Sequence, residues 1–124
     1  MNILLVDHLL IQREAFKRAL AHALQDRPYQ LFFAENKDET LRAIDESKIQ
    51  WVFIELHLPE EDGFVIASKI FQKHEKVPCV LLSELLKTGD EYWAKRLGFA
   101  GCLSRPIRER ALKNLLLGDS GEGL

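Results

Sequence analysis

The sequence has 124 residues, of which 47% are hydrophobic and 29% charged, with a net charge of −2 and a pI near 6.1. A chain of this length suits one domain around one core, and the composition is far from that of a disordered segment. Its Lys and Arg are scattered, which excludes the basic face that a nucleic acid partner requires.

Met1 and Asn2 run straight into the apolar residues 3–6, with no positively charged lead and too few apolar residues for a signal peptide or a membrane span. The expectation is a cytoplasmic protein with no membrane partner. Cys79 and Cys102 lie in no CxxC or other metal-type spacing, which fits two reduced thiols, most simply small apolar side chains.

Residues 3–6 are the first of five strand-length apolar runs; the others are 31–34, 51–54, 77–82 and 99–103. After the first run, Leu9, Phe16, Ala19, Leu20, Ala23 and Leu24 form one apolar stripe of a helix, with Arg13, Lys17 and Arg18 off it. A second helix is expected over 37–46 with Leu41 and Ile44 inward. A third starts near Asp62, whose carboxylate can cap the first turn, and turns Phe64, Ile66, Ala67 and Ile70 to the sheet. For the fourth, Thr88 with Glu91 three residues on reads as a capping box, and the helix runs through Trp93, Ala94 and Leu97 to Gly98. Trp93 is expected at the edge of the core. A short fifth helix is expected over 108–117. Residues 1–117 thus make one domain, and 118–124, with three glycines, read as a flexible tail or the start of a linker.

Alternating strands and helices, with strands apolar throughout, imply a doubly wound α/β fold: a five-stranded parallel sheet covered by helices on both faces. In such a sheet the functional site lies beyond the carboxyl ends of the strands. The residues closing the runs are Asp7 and His8, Glu55, Ser83 and Arg105. Acids, a hydroxyl and a fixed cation gathered at one sheet end have no packing role, which makes them the candidate site.

The order and content of four segments resemble the receiver domains of bacterial two-component signalling. They are Ile3-Leu4-Leu5-Val6-Asp7-His8, Glu55-Leu56-His57-Leu58-Pro59-Glu60-Glu61-Asp62-Gly63, Val77-Pro78-Cys79-Val80-Leu81-Leu82-Ser83, and Gly98-Phe99-Ala100-Gly101-Cys102-Leu103-Ser104-Arg105-Pro106. The resemblance runs from Asn2 to about Leu117 and implies a flavodoxin-like strand order of 2-1-3-4-5. It also implies a regulatory module rather than an enzyme, with a cis bond before Pro106.

Within that pattern Glu55 holds the place of the phosphorylated aspartate, and Asp7, His8 and His57 form a degenerate acidic pocket. Ser83, Cys102 and Arg105 hold the switch positions. His8 replaces an acid of the Mg²⁺-binding pair and is a poor ligand for that hard ion, so Mg²⁺ binding is expected to be weak or absent and no cofactor is assigned. Glu55 is one methylene longer than aspartate, a displacement of roughly 1 Å that can cost on the order of 10²-fold in rate. Arg105 stands for the lysine and presents a planar fork to a carboxylate, so Glu55 and Arg105 are expected to pair. Cys102 stands for the usual relay aromatic. The resemblance also implies a protein partner, either an effector domain, a kinase-pathway protein or a second copy. It would dock on the face of the fourth helix, fifth strand and fifth helix, where Tyr92, Lys95 and Arg96 point outward.

Blander readings stand beside these. Glu55 and Arg105 could be surface charges, His8 and His57 loop histidines, Ser83 the cap of a turn, and Tyr92, Lys95 and Arg96 a solvated face. Functional rivals are a conventional receiver phosphorylated at Asp7 or Asp62, and a Zn²⁺ module built from Asp7, His8, Glu55 and His57. A small enzyme on the same scaffold is disfavoured because no glycine-rich phosphate loop follows the first strand.

Overall fold

The computed structural model describes residues 1–74 and 76–118. Five strands, β1 (Asn2–Val6), β2 (Gln30–Ala34), β3 (Trp51–Glu55), β4 (Cys79–Ser83) and β5 (Gly101–Ser104), alternate with five helices. These are α1 (Leu10–Ala23), α2 (Lys37–Ser47), α3 (Gly63–Lys73), α4 (Thr88–Leu97) and α5 (Glu109–Leu117). All neighbouring strands are parallel and the sheet order is β2-β1-β3-β4-β5, the doubly wound order expected.

The two-residue period of a strand divides the core between the two faces of the sheet. Leu4, Val6, Val52, Ile54 and Leu81 join Ile44, Ile66, Ile70 and Ala94 in one cluster, under α2, α3 and α4. Ile3, Leu5, Phe53, Val80 and Leu82 join Phe16, Leu20 and Leu112 in the other, under α1 and α5. Phe16 packs tilted on Phe53 with ring centroids 5.0 Å apart. β4 is buried from end to end and β1 and β3 are buried at all but their first residue, whereas the edge strand β2 buries only Ala34. The chain reverses direction across the sheet between β2 and β3, on either side of β1, and that switch point fixes where a site can form.

Several helix starts follow expected chemistry. Asp62 caps α3 by accepting from the Val65 N–H at 3.0 Å, and Asn36, which the sequence reading passed over, caps α2 by accepting from Glu39 at 2.9 Å. Other details differ. The cap of α4 is Lys87 rather than Thr88, because Asp90, not Glu91, reaches back to accept from the Lys87 N–H at 3.1 Å. Leu9 lies outside α1 and is 41% exposed instead of joining its buried stripe. Trp93 is 56% exposed rather than at the core edge, and Leu97 is also exposed, because Ala94 alone of α4 is buried against the sheet. Val77 precedes β4, and Phe99 precedes β5, as a buried plug between Phe64 and Phe71. Of the expected tail, 119–124 lie outside the described residues. No described helix is long and apolar enough to cross a membrane.

Candidate functional site

The carboxyl ends of β1 and β3 lie side by side, since Val6 is in register with Ile54. The next residues out are acids. Asp7 is fully buried and Glu55 nearly so, at 4% exposed. Their backbone is tied into neighbouring strand ends, with Asp7 N–H donating to the Ala34 carbonyl at 3.0 Å and Leu56 N–H to the Leu82 carbonyl at 2.8 Å. Gly63 closes the loop after β3, donating to the Leu56 carbonyl at 2.8 Å. A Cβ there would sit 2.7 Å from the Glu55 carbonyl oxygen, so only glycine lets α3 start this close to the strand.

Arg105 follows β5 at a cis peptide bond to Pro106, and its N–H donates to the Ser83 carbonyl at 2.8 Å. Its guanidinium reaches across the end of the sheet. Nε and Nη2 both donate to Glu55 Oε1, at 3.1 and 3.0 Å, and Nη2 also donates to Asp7 Oδ2 at 2.7 Å. Rather than a two-oxygen fork on Glu55 alone, one cation ties together the ends of β1 and β3. The second oxygen of Glu55, Oε2, accepts from the His57 N–H at 2.9 Å.

Asp7 Oδ1 accepts from the Leu9 N–H at 3.1 Å. With its amide nitrogen turned toward the carboxylate, Gln12 adds donors at 2.8 and 3.1 Å. Burial nevertheless holds the Asp7 carboxyl above its ordinary range, helped by the charge of Glu55 and opposed by the Leu9 N–H and Arg105. Two carboxylates share one guanidinium here, so the pairing offsets only part of the cost of burial.

The remaining candidates are arranged differently. His8 Nδ1 lies 3.8 Å from Asp7 Oδ1 and, although shielded from solvent, has no hydrogen-bond partner. The His57 side chain is exposed, and only its backbone N–H reaches Glu55. The grouping of Asp7, His8, Glu55 and His57 as a zinc site is therefore not assembled, and among the described residues no three His, Cys, Asp or Glu side chains form a metal-ligand group. Ser83 is buried and its Oγ accepts from the Leu85 N–H at 3.4 Å, the turn-capping role. Cys79 and Cys102 are free thiols. Burial pushes Cys79 up to about 12, and Cys102 is raised by burial, Glu91 and Asp90. Tyr92, Lys95 and Arg96 are all exposed on α4.

The sequence reading missed three parts of the site. Asp7 is the closer partner of Arg105, and Gln12 supports Asp7. Arg13 donates from Nε to the Asp7 carbonyl at 2.9 Å while it faces Glu35 at 3.4 Å and lies over the Phe33 ring at 5.2 Å. A signal was present: a helix entered directly from β1 turns its first polar residues back toward the strand end.

Comparison with known proteins agrees with this fold. The response regulator receiver domain family matches residues 3–117. The chain is 31% identical over 91 residues to Response regulator RR06 of Streptococcus pneumoniae serotype 2, covering 73% of this chain and 38% of that protein. It is 28% identical over 116 residues to Sensor histidine kinase RcsC of Salmonella typhi, covering 94% of this chain and 12% of that protein. It thus spans well under half the length of either relative. Among solved structures, the signal receiver domain of an HD domain-containing protein from Pseudomonas fluorescens has a TM-score of 0.79 at 24% identity, covering 98% of this chain and 94% of that one. A response regulator protein from Burkholderia pseudomallei, solved with a phosphorylated aspartic acid, calcium ion and citrate, has a TM-score of 0.75 at 23% identity, covering 98% and 69%. At these identities the solved structures speak for the fold.

Proposed function

The chain belongs to the response regulator receiver family, and from that membership we propose a regulatory protein-interaction module of two-component signalling that works without phosphotransfer to Glu55. The observation that carries this reading is the single guanidinium nitrogen, Arg105 Nη2, shared between Asp7 at 2.7 Å and Glu55 at 3.0 Å. A phosphoryl acceptor must present a carboxylate oxygen to the donor, yet Glu55 Oε1 takes two bonds from Arg105 and Oε2 is held by one from His57. With Glu55 also 4% exposed, a phosphodonor would have to displace these contacts to reach its carboxylate.

The residues present do not suit Mg²⁺. That ion demands near-octahedral oxygen coordination, but the residue after Asp7 is His8, and both remaining carboxylates are engaged by a cation that a divalent ion would have to oppose or displace. Nor do other acceptors stand ready, since Asp62 is occupied as the cap of α3 and Asp7 is fully buried.

In this reading the Glu55–Arg105 contact imitates, in part, the contact between a phosphorylated acceptor and its cation. The imitation is incomplete, because a carboxylate carries one negative charge against about −1.5 to −2 for a phosphate. With Cys102 in place of a ring on β5, the module carries no aromatic relay. Its output is contact with a protein partner through α4, β5 and α5, where Tyr92, Lys95 and Arg96 are exposed. A Mg²⁺ titration followed by amide NMR tests the reading. Millimolar Mg²⁺ is expected to leave the Asp7, Leu9 and His57 amides unmoved, whereas saturable shifts at those amides would count against it.

A further inference from the structure

We infer that the free edge of β2 is a pairing site for the β2 edge of a second copy of this chain, the two strands running antiparallel about a twofold axis at Phe32 so that two five-stranded sheets join into one. β2 has β1 on one side only, and among the described residues nothing pairs with its other side. The Gln30 N–H donates to the Met1 carbonyl at 2.8 Å and the Ala34 carbonyl accepts from the Asp7 N–H at 3.0 Å, so residues 30, 32 and 34 turn their backbone groups inward to β1. By the alternation of a strand, Leu31 and Phe33 turn theirs outward.

Sheet edges are usually blunted by a lysine, a proline or a bulge, yet Gln30-Leu31-Phe32-Phe33-Ala34 holds no charged residue and no proline, and its pairing with β1 runs without a bulge. Phe33 is 40% exposed. The Arg13 guanidinium lies 5.2 Å over its ring, but Arg13 gives its Nε to the Asp7 carbonyl and leaves the outward backbone of β2 unengaged.

The register names the occupant. About a twofold at Phe32, Leu31 of each copy lies opposite Phe33 of the other, and each such pair exchanges two N–H···O bonds, so the outward groups of one strand are answered in full by those of its copy. The next outward N–H, that of Glu35, is already taken by Glu39 Oε1 at 2.9 Å, which ends the ladder there. The same register sets Glu35 diagonal to Arg27 of the other copy, a pair of opposite charges. A ladder this short makes a weak, reversible dimer. β5 is the opposite edge of the sheet, so the dimer carries two α4–β5–α5 faces pointing away from the junction, both free for the protein partner.

Sedimentation velocity and amide hydrogen exchange over one concentration series test the pairing. The wild type is expected to dimerise reversibly, with the Leu31 and Phe33 amides gaining protection in step with the dimer while Phe32, bonded within the sheet, stays protected throughout. Phe33→Pro deletes an outward N–H at an edge position, where proline is tolerated, and the twofold removes two bonds at once, which should raise the dissociation constant roughly 30-fold. Phe33→Val keeps the N–H and should raise it less than roughly 5-fold. Should circular dichroism show Phe33→Pro unfolded, the exchange of the wild-type amides decides alone. A wild type that is monomeric at the highest concentration overturns the pairing and leaves the edge to a strand of another protein. A dimer whose Leu31 and Phe33 amides exchange as in the monomer overturns it too, as does one indifferent to a folded Phe33→Pro. None of those results touches the phosphotransfer-free reading, which the Mg²⁺ titration addresses.

Discussion

Replacing Arg105 by methionine keeps the length and packing of the side chain but removes the cation shared by Asp7 and Glu55. In the wild type the cluster holds two buried carboxylates against one guanidinium, a net charge of −1; in the variant it holds −2 with both acids still nine-tenths or more buried. Removing one partner of a buried ion pair costs about 3–5 kcal/mol, because the remaining charge is stranded in a poorly solvated position. Arg105→Met is therefore expected to lose about 3–5 kcal/mol in urea unfolding at about pH 8. The loss should shrink as the pH falls. Stranded carboxyls bind protons more tightly folded than unfolded, so the folded state is favoured below their folded pKa and penalised above it. Once the medium is acid enough for one carboxyl to take up a proton, much of the stability should return. A loss under about 1 kcal/mol at about pH 8, or one that does not change with pH, would refute the reasoning, because exposed ion pairs behave that way.

Two further substitutions probe the same end of the sheet. Asp7→Asn relieves the excess negative charge, but its single amide oxygen can keep only one of the two contacts, that of Leu9 with Oδ1 or that of Arg105 with Oδ2. Because burial raises Asp7, its ionisation costs stability as the pH climbs through its folded pKa. The stability of the variant relative to wild type should therefore improve as the pH rises, since only the wild type ionises a buried carboxyl, and a difference that does not move with pH in thermal melts would count against this. Gly63→Ala places a Cβ 2.7 Å from the Glu55 carbonyl, where the obstacle is backbone, and denaturation should show a loss of about 1–3 kcal/mol with a disturbed Glu55–His57 contact.

The fold was legible because every level of the sequence pointed the same way. The continuous apolar runs at β1, β3 and β4 cannot be half-exposed strands, and the intervening 3.6-residue periodicity leaves only crossover helices. The site was legible through strand ends: Asp7, Glu55, Ser83 and Arg105 close their runs, and the parallel sheet brings those ends together. What was not legible is which charge meets which. That Arg105 bridges to Asp7, 98 residues away, depends on the reach of its side chain from β5 past β4 and β3 to β1, which no local spacing encodes. Trp93 misled because hydrophobicity marked it as core, but the single buried position of α4 is Ala94, a side chain small enough to let that helix lie close to the sheet. The α4 cap shifted by one residue because Asp90 competed with Glu91 for the same N-terminal turn.

The central claim is that Glu55, held by Arg105, no longer accepts a phosphoryl group. Incubating the wild-type chain with Mg²⁺ and acetyl phosphate and reading its intact mass tests this directly, with Glu55→Asp and His8→Asp combined as the comparison. The wild type is expected to keep its unmodified mass while the double variant regains some acceptor chemistry; a phosphoryl adduct on the wild type would contradict the account.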